Sequence, residues 1–317
     1  MAELPLVVGL GVVDPALVEP VLGGHARFVA EPTDDDLARA WGAIVRADPL
    51  VDRAFLDRMP QVRVLARTGV GVERVDLPTA TERGIAVVIT PGTGAGAVAE
   101  GAIGMAMHLI KRFGRLTALV RDGRWAERSS IPIGDLDGAV LGVVGYGRIG
   151  QRTAVLGASV GMSVLAYDPV NEPPAEVRCA DLADLVRRSD VLTLHLPLLD
   201  STAHLVNDSL LAQVRRGAII VNCGRGGLMD LDAVHAALLD GRLGGVGLDV
   251  FDPEPPDHHP LFDHPDVVLT PHVMGLSRRG TEATFAAAAR GVVDVLAGRS
   301  PGAVANPDWN TEPAVRS

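Results

Sequence analysis

The sequence predicts an α/β protein built from two parallel-sheet domains, Rossmann-like or flavodoxin-like. Three observations carry that expectation. Short Val/Leu-rich runs alternate with helix-period segments along the chain, the pattern of parallel strands joined by crossover helices. The 317 residues suffice for two domains, at about 100 to 200 residues each. One apolar run, 139–144, opens into a glycine-rich turn and then a helical pattern, the local order of a phosphate-binding turn.

The early strand candidates are residues 6–13, 27–30, 42–45, 62–66 and 85–89, with helix candidates at 34–40, 51–58 and 77–83 between them. Thr33 precedes the acidic start of 34–40, and Asp76 precedes Leu77-Pro78, so both segments have N-terminal capping residues. Residues 96–121 read as one long helix in which Gly101 and Gly104 suggest close packing. A Pro- and Gly-bearing loop, 129–138, leads into the strand 139–144, and further strands are expected at 163–167, 191–195, 218–221, 245–250 and 267–270. An alanine-rich helix at 281–298 ends on a glycine, and the tail 306–317 reads as loose.

Composition narrows the function classes. The formal net charge of −10 argues against broad electrostatic binding to nucleic acid or an anionic membrane. Hydrophobic residues at 47% and charged residues at 21% are globular values. With aromatics at only 3%, the core falls to Val, Leu, Ala and Ile. Cys179 and Cys223, the two cysteines, can form neither a disulfide framework nor a four-cysteine metal site, and they suit a reducing compartment. The opening Met-Ala-Glu-Leu-Pro lacks the basic and apolar regions of a signal peptide. The most apolar long stretch, 97–110, contains Glu100 and His108. A cytoplasmic protein without a membrane span or metal is therefore expected.

The glycine turn is Gly145-Tyr-Gly147-Arg148-Ile149-Gly150. Gly145 permits the tight turn, Gly147 lets the backbone approach a pyrophosphate, and Gly150 lets helix and strand pack closely. The helix N-terminus offers unpaired amides and a partial positive charge to the anion. At the end of the next strand stands Asp168. An acid there accepts from ribose hydroxyls and repels a 2′-phosphate, which favours NAD over NADP.

Three charged clusters follow later strands. Arg225 sits between glycines after 218–221, where a guanidinium can clamp a carboxylate or serve as a structural ion-pair partner. Asp249 lies in an apolar strand and needs a partner, and Glu254 follows between two prolines. His272 ends the strand 267–270. A lone histidine is ordinarily structural, but this one shares a strand-end position with Arg225 and Glu254. Reduction of a 2-keto acid needs a hydride donor, a cation for the carboxylate and a proton donor for the developing alkoxide. Arg225 and His272 supply the last two, and Glu254 beside the imidazole would keep it a competent acid near neutral pH.

The segments that carry this chemistry resemble the D-isomer-specific 2-hydroxyacid dehydrogenases, most of all their phosphoglycerate dehydrogenase branch. The likeness spans roughly 45–306 and rests on Arg67-Thr-Gly-Val-Gly-Val72, Val98-Ala-Glu100, Gly142 to Gly150, Ala166-Tyr-Asp-Pro169, Leu194-His-Leu-Pro-Leu198, Asn222-Cys-Gly-Arg-Gly226, Leu248-Asp-Val-Phe251 with Glu254-Pro255, and Thr270-Pro-His272. The resemblance implies that Arg225, Glu254 and His272 are catalytic. It also implies that Gly69, Val70 and Gly71 hold the substrate carboxylate through their backbone. Cofactor contacts are implied for Arg148, Ile149, Asp168, His195, Pro197, Cys223, Asp249 and Gly275.

It further implies a discontinuous substrate domain, 1–97 with 285–317, an NAD-binding domain, 98–284, a cleft between them for the active site, and a homodimer through the NAD-binding domain. Arg46 and Arg67 match phosphate-binding arginines of the branch, which suggests an anionic substrate such as 3-phosphoglycerate. Gly94-Ala95-Gly96-Ala97 stands where the family carries Asn and Ser or Thr, and Arg74 replaces a common Asn. The reading is thus an NAD-dependent enzyme acting on the CH–OH group of a D-2-hydroxy acid. The alternatives are a glyoxylate or hydroxypyruvate reductase, a specialised dehydrogenase of, for example, a phosphonate, and a dinucleotide-sensing corepressor-like protein.

Overall fold

The computed structural model describes residues 3–310. They divide into two units, the chain up to Gly94 together with residues from Arg278 onward, and Ala95–Ser277.

The first unit has five parallel strands, β1 (Leu6–Leu10), β2 (Arg27–Val29), β3 (Gly42–Val45), β4 (Val64–Arg67) and β5 (Ala86–Val88), in the order β2-β1-β3-β4-β5. Their connections carry α1 (Pro15–Leu22), α2 (Asp34–Arg39), α3 (Arg53–Asp57) and α4 (Leu77–Glu82). β1, β3 and β4 are covered on both faces, which is why β1 and β3 read as unbroken apolar runs and β4 does so up to Ala66. Leu37, Leu56, Met59 and Ile85 fill one side, and Val18, Leu22, Phe285 and Val292 the other. Thr33 and Asp76 cap α2 and α4 as their side chains allow.

The second unit opens with α5 (Ala95–Ile110) and α6 (Phe113–Arg121). Its six parallel strands are β6 (Val140–Val144), β7 (Ser163–Tyr167), β8 (Val191–Leu194), β9 (Ala218–Asn222), β10 (Leu243–Leu248) and β11 (Val267–Leu269), in the order β11-β10-β9-β8-β6-β7. α7 (Arg148–Ser159), α8 (Leu182–Arg188), α9 (Asp208–Leu211) and α10 (Leu231–Leu239) lie between strands. Beyond β7, Arg178 forms a single parallel bridge to Ala166. That bridge occupies the place of the third strand of a doubly wound sheet, shrunk to one residue. Finally α11 (Arg278–Leu296) packs on α1 and on β3, β4 and β5 of the first unit.

Two expectations need correction. The helix expected over 96–121 is two helices, because Arg112 takes a left-handed conformation at φ 55°. Its guanidinium reaches the Gly244 carbonyl at 2.6 Å and Asp266 at 3.1 Å, and Arg115 grips the same carboxylate with two bonds. Tertiary bonds thus outcompete continued helix. The segment expected to be loose from 306 begins with a buried Asn306, whose amide oxygen accepts the Val87 N–H at 2.8 Å and whose amide nitrogen donates to the Ile85 carbonyl at 2.9 Å. A short 3-10 turn follows at Pro307–Asn310, and 311–317 lie outside the described residues.

Candidate active site

In an open parallel sheet, ligands bind beyond the carboxyl ends of the strands where the strand order reverses. In the second unit that point lies between β6 and β8, and the glycine turn is there. Gly145 has φ +96°, and a Cβ on it would stand 2.8 Å from the main chain of His195, just past β8. A Cβ on Gly150 would stand 2.0 Å from the Gly145 carbonyl oxygen, so turn and helix can close up only with glycine at both positions. Gly147 instead faces open space, and as the N-cap of α7 it makes no side-chain cap. The first amides of α7, including those of Arg148 and Ile149, therefore face an open cradle that fits a pyrophosphate.

Asp168 closes this turn from the end of β7. Its carboxylate accepts the Tyr146 N–H at 2.6 Å, the Val170 and Asn171 N–H groups at 2.7 and 2.8 Å, and the Asn171 side-chain amide at 3.1 Å. Burial works to raise its pKa, but these donors outweigh it and hold the carboxyl below its ordinary value. His195 is different. Burial pushes its imidazole down to about 3, so it is neutral. Its Nε2 lies 2.9 Å from the Thr193 hydroxyl, and its Nδ1 is buried with no partner. Pro197 turns its carbonyl onto the Thr202 hydroxyl at 2.7 Å.

The three charged clusters occupy the carboxyl ends of β9, β10 and β11. At the end of β9, the fully buried Asn222 accepts the Gly224 N–H at 3.0 Å and donates to the Arg225 carbonyl at 2.9 Å, fixing the main chain on both sides of the arginine. Cys223 in the same turn is buried, and burial, aided by the nearby Asp249 charge, pushes its thiol up to about 12. It is therefore an unreactive thiol.

After β10, Asp249 is 2% exposed and its carboxylate collects the Thr270 hydroxyl at 2.6 Å, the Val273 N–H at 2.9 Å and the Met274 N–H at 3.2 Å. Glu254 accepts the Phe251 N–H on Oε1 at 3.0 Å and places Oε2 2.8 Å from Nδ1 of His272. His272 follows β11 in a left-handed conformation, φ 53°. Its Nε2 makes no hydrogen bond among the described residues, so the pair presents one free ring nitrogen. Gly275 lies close behind, beside Val98. Asn222, Thr270 and Thr193 are the supporting residues to which the sequence reading gave no role; each stands in or directly after a strand, beside a residue it did single out.

The first unit has its own reversal point, between β1 and β3. A Cβ on Gly11, after β1, would stand 2.8 Å from Cβ of Arg46, after β3. The Arg46 guanidinium lies over the Phe285 ring at 5.4 Å, with its Nε buried and unpartnered. Arg67, 5% exposed at the end of β4, donates Nε to the Gly71 carbonyl at 2.9 Å and Nη1 to the Arg46 carbonyl. The amides of Gly69, Val70 and Gly71 donate to no acceptor among the described residues. The second unit's residues are thus brought together along one strand-end edge, and Arg46, Arg67 and 69–71 along the corresponding edge of the first. Among the described residues no cluster of three His, Cys, Asp or Glu side chains could hold a metal, and no helix is long and apolar enough to cross a membrane.

Residues 103–274 match the family model described as D-isomer specific 2-hydroxyacid dehydrogenase, NAD binding domain. The chain is 36% identical over 269 residues to a D-3-phosphoglycerate dehydrogenase of Pongo abelii, covering 84% of this chain and 50% of that protein. It is 36% identical over 234 residues to a hydroxypyruvate reductase of Thermotoga maritima, covering 73% and 76%. The chain spans about half the length of the curated phosphoglycerate dehydrogenases it matches. Among solved structures it is similar to the TT0316 protein from Thermus thermophilus, with a TM-score of 0.84, 33% identity and coverage of 95% and 99%.

Proposed function

We propose that this chain, which belongs to the D-isomer specific 2-hydroxyacid dehydrogenase family, is an NAD-dependent oxidoreductase acting at C2 of a D-2-hydroxy acid or its 2-keto partner. The observation that carries this reading is the His272–Glu254 pair, 2.8 Å apart at a strand end, with Nε2 of the imidazole unspent. The glycine turn and the first amides of α7 would hold a nicotinamide dinucleotide, which would supply or accept the hydride when bound. His272 gives a proton to the substrate oxygen in reduction and takes it in oxidation. Glu254 accepts from Nδ1–H, fixing the tautomer and the ring orientation. Arg225 pairs with the substrate carboxylate and polarises the C2–O bond. The amides of 69–71 are a second holder for that carboxylate.

The discontinuous unit is assigned to substrate and the Ala95–Ser277 unit to the dinucleotide. Asp168, ionised and aimed by the turn it closes, favours NAD over NADP. Cofactor-side contacts are assigned to Gly145, Gly147, Arg148, Ile149, Gly150, His195, Pro197, Cys223, Asp249 and Gly275. Arg46, a guanidinium with an unspent Nε at the first sheet's reversal point, supports an anionic substrate such as 3-phosphoglycerate. A reductase of hydroxypyruvate or glyoxylate is the second reading, favoured by the similarity to the Thermotoga maritima enzyme. The exposed Phe113, Val120, Trp125 and Ile133, all between the start of α6 and β6, support a homodimer through the second unit. The free Cys179 and Cys223 fit a reducing cytoplasm.

The test is nicotinamide absorbance with a panel of 2-keto and 2-hydroxy acids, using NADH, NADPH and their oxidised forms, alongside His272→Asn. Turnover by the wild type and its collapse in the variant are expected. Binding of NAD without turnover of any panel member would overturn the reading.

A further inference from the structure

Arg67 is nearly sealed from solvent, and its guanidinium is turned inward. Nε donates to the carbonyl of Gly71 at 2.9 Å and Nη1 to the carbonyl of Arg46. A cation so placed has little surface left to meet a ligand. What it does set is the direction of peptide planes. In a trans peptide the N–H points opposite to its C=O. Drawing the Gly71 carbonyl onto Arg67 therefore turns the Val72 N–H outward. On the other side of the loop, the Gly69 carbonyl accepts the Thr90 N–H at 3.0 Å, which turns the Val70 N–H outward as well. Val70 is exposed, and neither Val70 N–H nor Val72 N–H has an acceptor among the described residues. With the Gly71 N–H between them, which also has no acceptor among the described residues, they complete a run of successive unspent N–H groups, the makings of an anion-binding concavity.

We propose that Arg67 is a positioning residue for this loop: it aims the amides that hold the substrate carboxylate and pins the main chain of Arg46, and it does not itself read a distal anion. The second part of its reach matters, because the carbonyl it holds belongs to the residue at the sheet's reversal point. One guanidinium thus couples the carboxylate loop after β4 to the loop after β3. This rests on the enzymatic reading above, but its structural half can be tested without turnover.

Arg67→Met and Arg67→Lys are compared with the wild type in two measurements. The first is hydrogen exchange at the Thr68 and Thr90 amides, which donate to Val45, next to Arg46, and to Gly69, and so report on the two stretches of chain that flank the carbonyls held by Arg67. The second is kcat/KM for glyoxylate and for a 2-keto acid carrying a distal phosphate. Faster exchange at both amides is expected in Arg67→Met, with kcat/KM lowered by about 100-fold for both substrates alike, the scale of a misplacement of about 1 Å. Arg67→Lys keeps the charge but replaces the rigid two-nitrogen fork by a single nitrogen on a flexible stem and should fall between, again equally for both substrates; it carries the test if the Met variant does not fold. A loss confined to the phosphate-bearing substrate, or unchanged exchange, would overturn the proposal. If the wild type turns over no member of the 2-keto and 2-hydroxy acid panel, the enzymatic reading fails while the exchange comparison still decides the role of Arg67.

Discussion

His272 donates its main-chain N–H to the carbonyl of Asp249 at 2.8 Å, while the Asp249 carboxylate takes the next two N–H groups, those of Val273 and Met274. The histidine is thereby held from both ends by one buried residue. Such a hold is needed, because a non-glycine residue at φ 53° costs on the order of 1–3 kcal/mol unless its surroundings enforce it. The strain is stored at the residue assigned the proton transfer.

Asp249→Asn tests the hold. The best the amide can do is keep its oxygen where the Thr270 hydroxyl and the Val273 N–H converge, which sets its NH2 against the Met274 N–H. Donor then faces donor in a buried site, at a cost of about 1–3 kcal/mol. Urea unfolding should show that loss, and kcat should fall by about 100-fold as the imidazole drifts. Unchanged stability together with unchanged kcat would mean that Asp249 does not set the histidine loop.

Glu254→Gln tests the other side of His272. Both carboxylate oxygens are in use, one on the Phe251 N–H and one facing the imidazole Nδ1. Glutamine has a single acceptor oxygen, so it must either leave the loop or meet the ring with its NH2, which disfavours the Nδ1–H tautomer. A fall in kcat of about 100-fold, within the range of a positioned acid or base, is expected with KM little moved. If KM rises instead and kcat stands, Glu254 serves substrate binding.

Much of this site was legible in sequence because its parts are local. A glycine that must take positive φ, as Gly145 does, or an acid at the end of the following strand, such as Asp168, leaves its mark within a few residues. Arg225 and His272 could be singled out because each lies three residues past the end of a parallel strand, and Glu254 because it stands between two prolines in the loop after β10. The supports were not legible. Arg67 spends its guanidinium on carbonyls contributed by two different loops, and any residue type can contribute a carbonyl. The break at Arg112 has the same origin: its partners, Gly244 and Asp266, lie more than a hundred positions away. The third strand of the second sheet escaped because one bridging residue, Arg178, has no periodicity to read.

His195 gives a prediction in pH. Burial lowers its imidazole from 6.5 to about 3, so the folded chain refuses a proton that the unfolded chain accepts. The stability this contributes is whole above pH 6.5 and is lost as pH falls from there toward 3. The slope is at most about 1.4 kcal/mol per pH unit, one proton's worth. His195→Gln removes that proton while keeping a group able to bond Thr193. Unfolding measured at several pH values across this window should show the wild type losing stability more steeply than the variant. The depressed carboxyls of Asp168 and Asp266 are common to both proteins and cancel in the comparison. Parallel curves would show that His195 is protonated in the folded chain as readily as in the unfolded one.

Asp168→Ser separates the two tasks assigned to that carboxylate. As a structural acceptor it holds the Tyr146 N–H inside the glycine turn, and as a charge it opposes a 2′-phosphate. A carboxylate offers about four acceptor positions, and four donors already surround this one. A ribose hydroxyl must therefore displace the longest of them, the Asn171 side-chain amide at 3.1 Å. Serine can accept from the main chain but carries no charge. NADH should bind roughly 10-fold more weakly, and the preference for NADH over NADPH should shrink by about 10- to 100-fold, the worth of one charge-assisted hydrogen bond. Asn171→Ala frees the contested acceptor position and should tighten NADH binding without changing the discrimination. Dissociation constants for both reduced cofactors, measured by fluorescence on all three proteins, decide the matter. Discrimination that survives in Asp168→Ser would place the selectivity elsewhere in the turn.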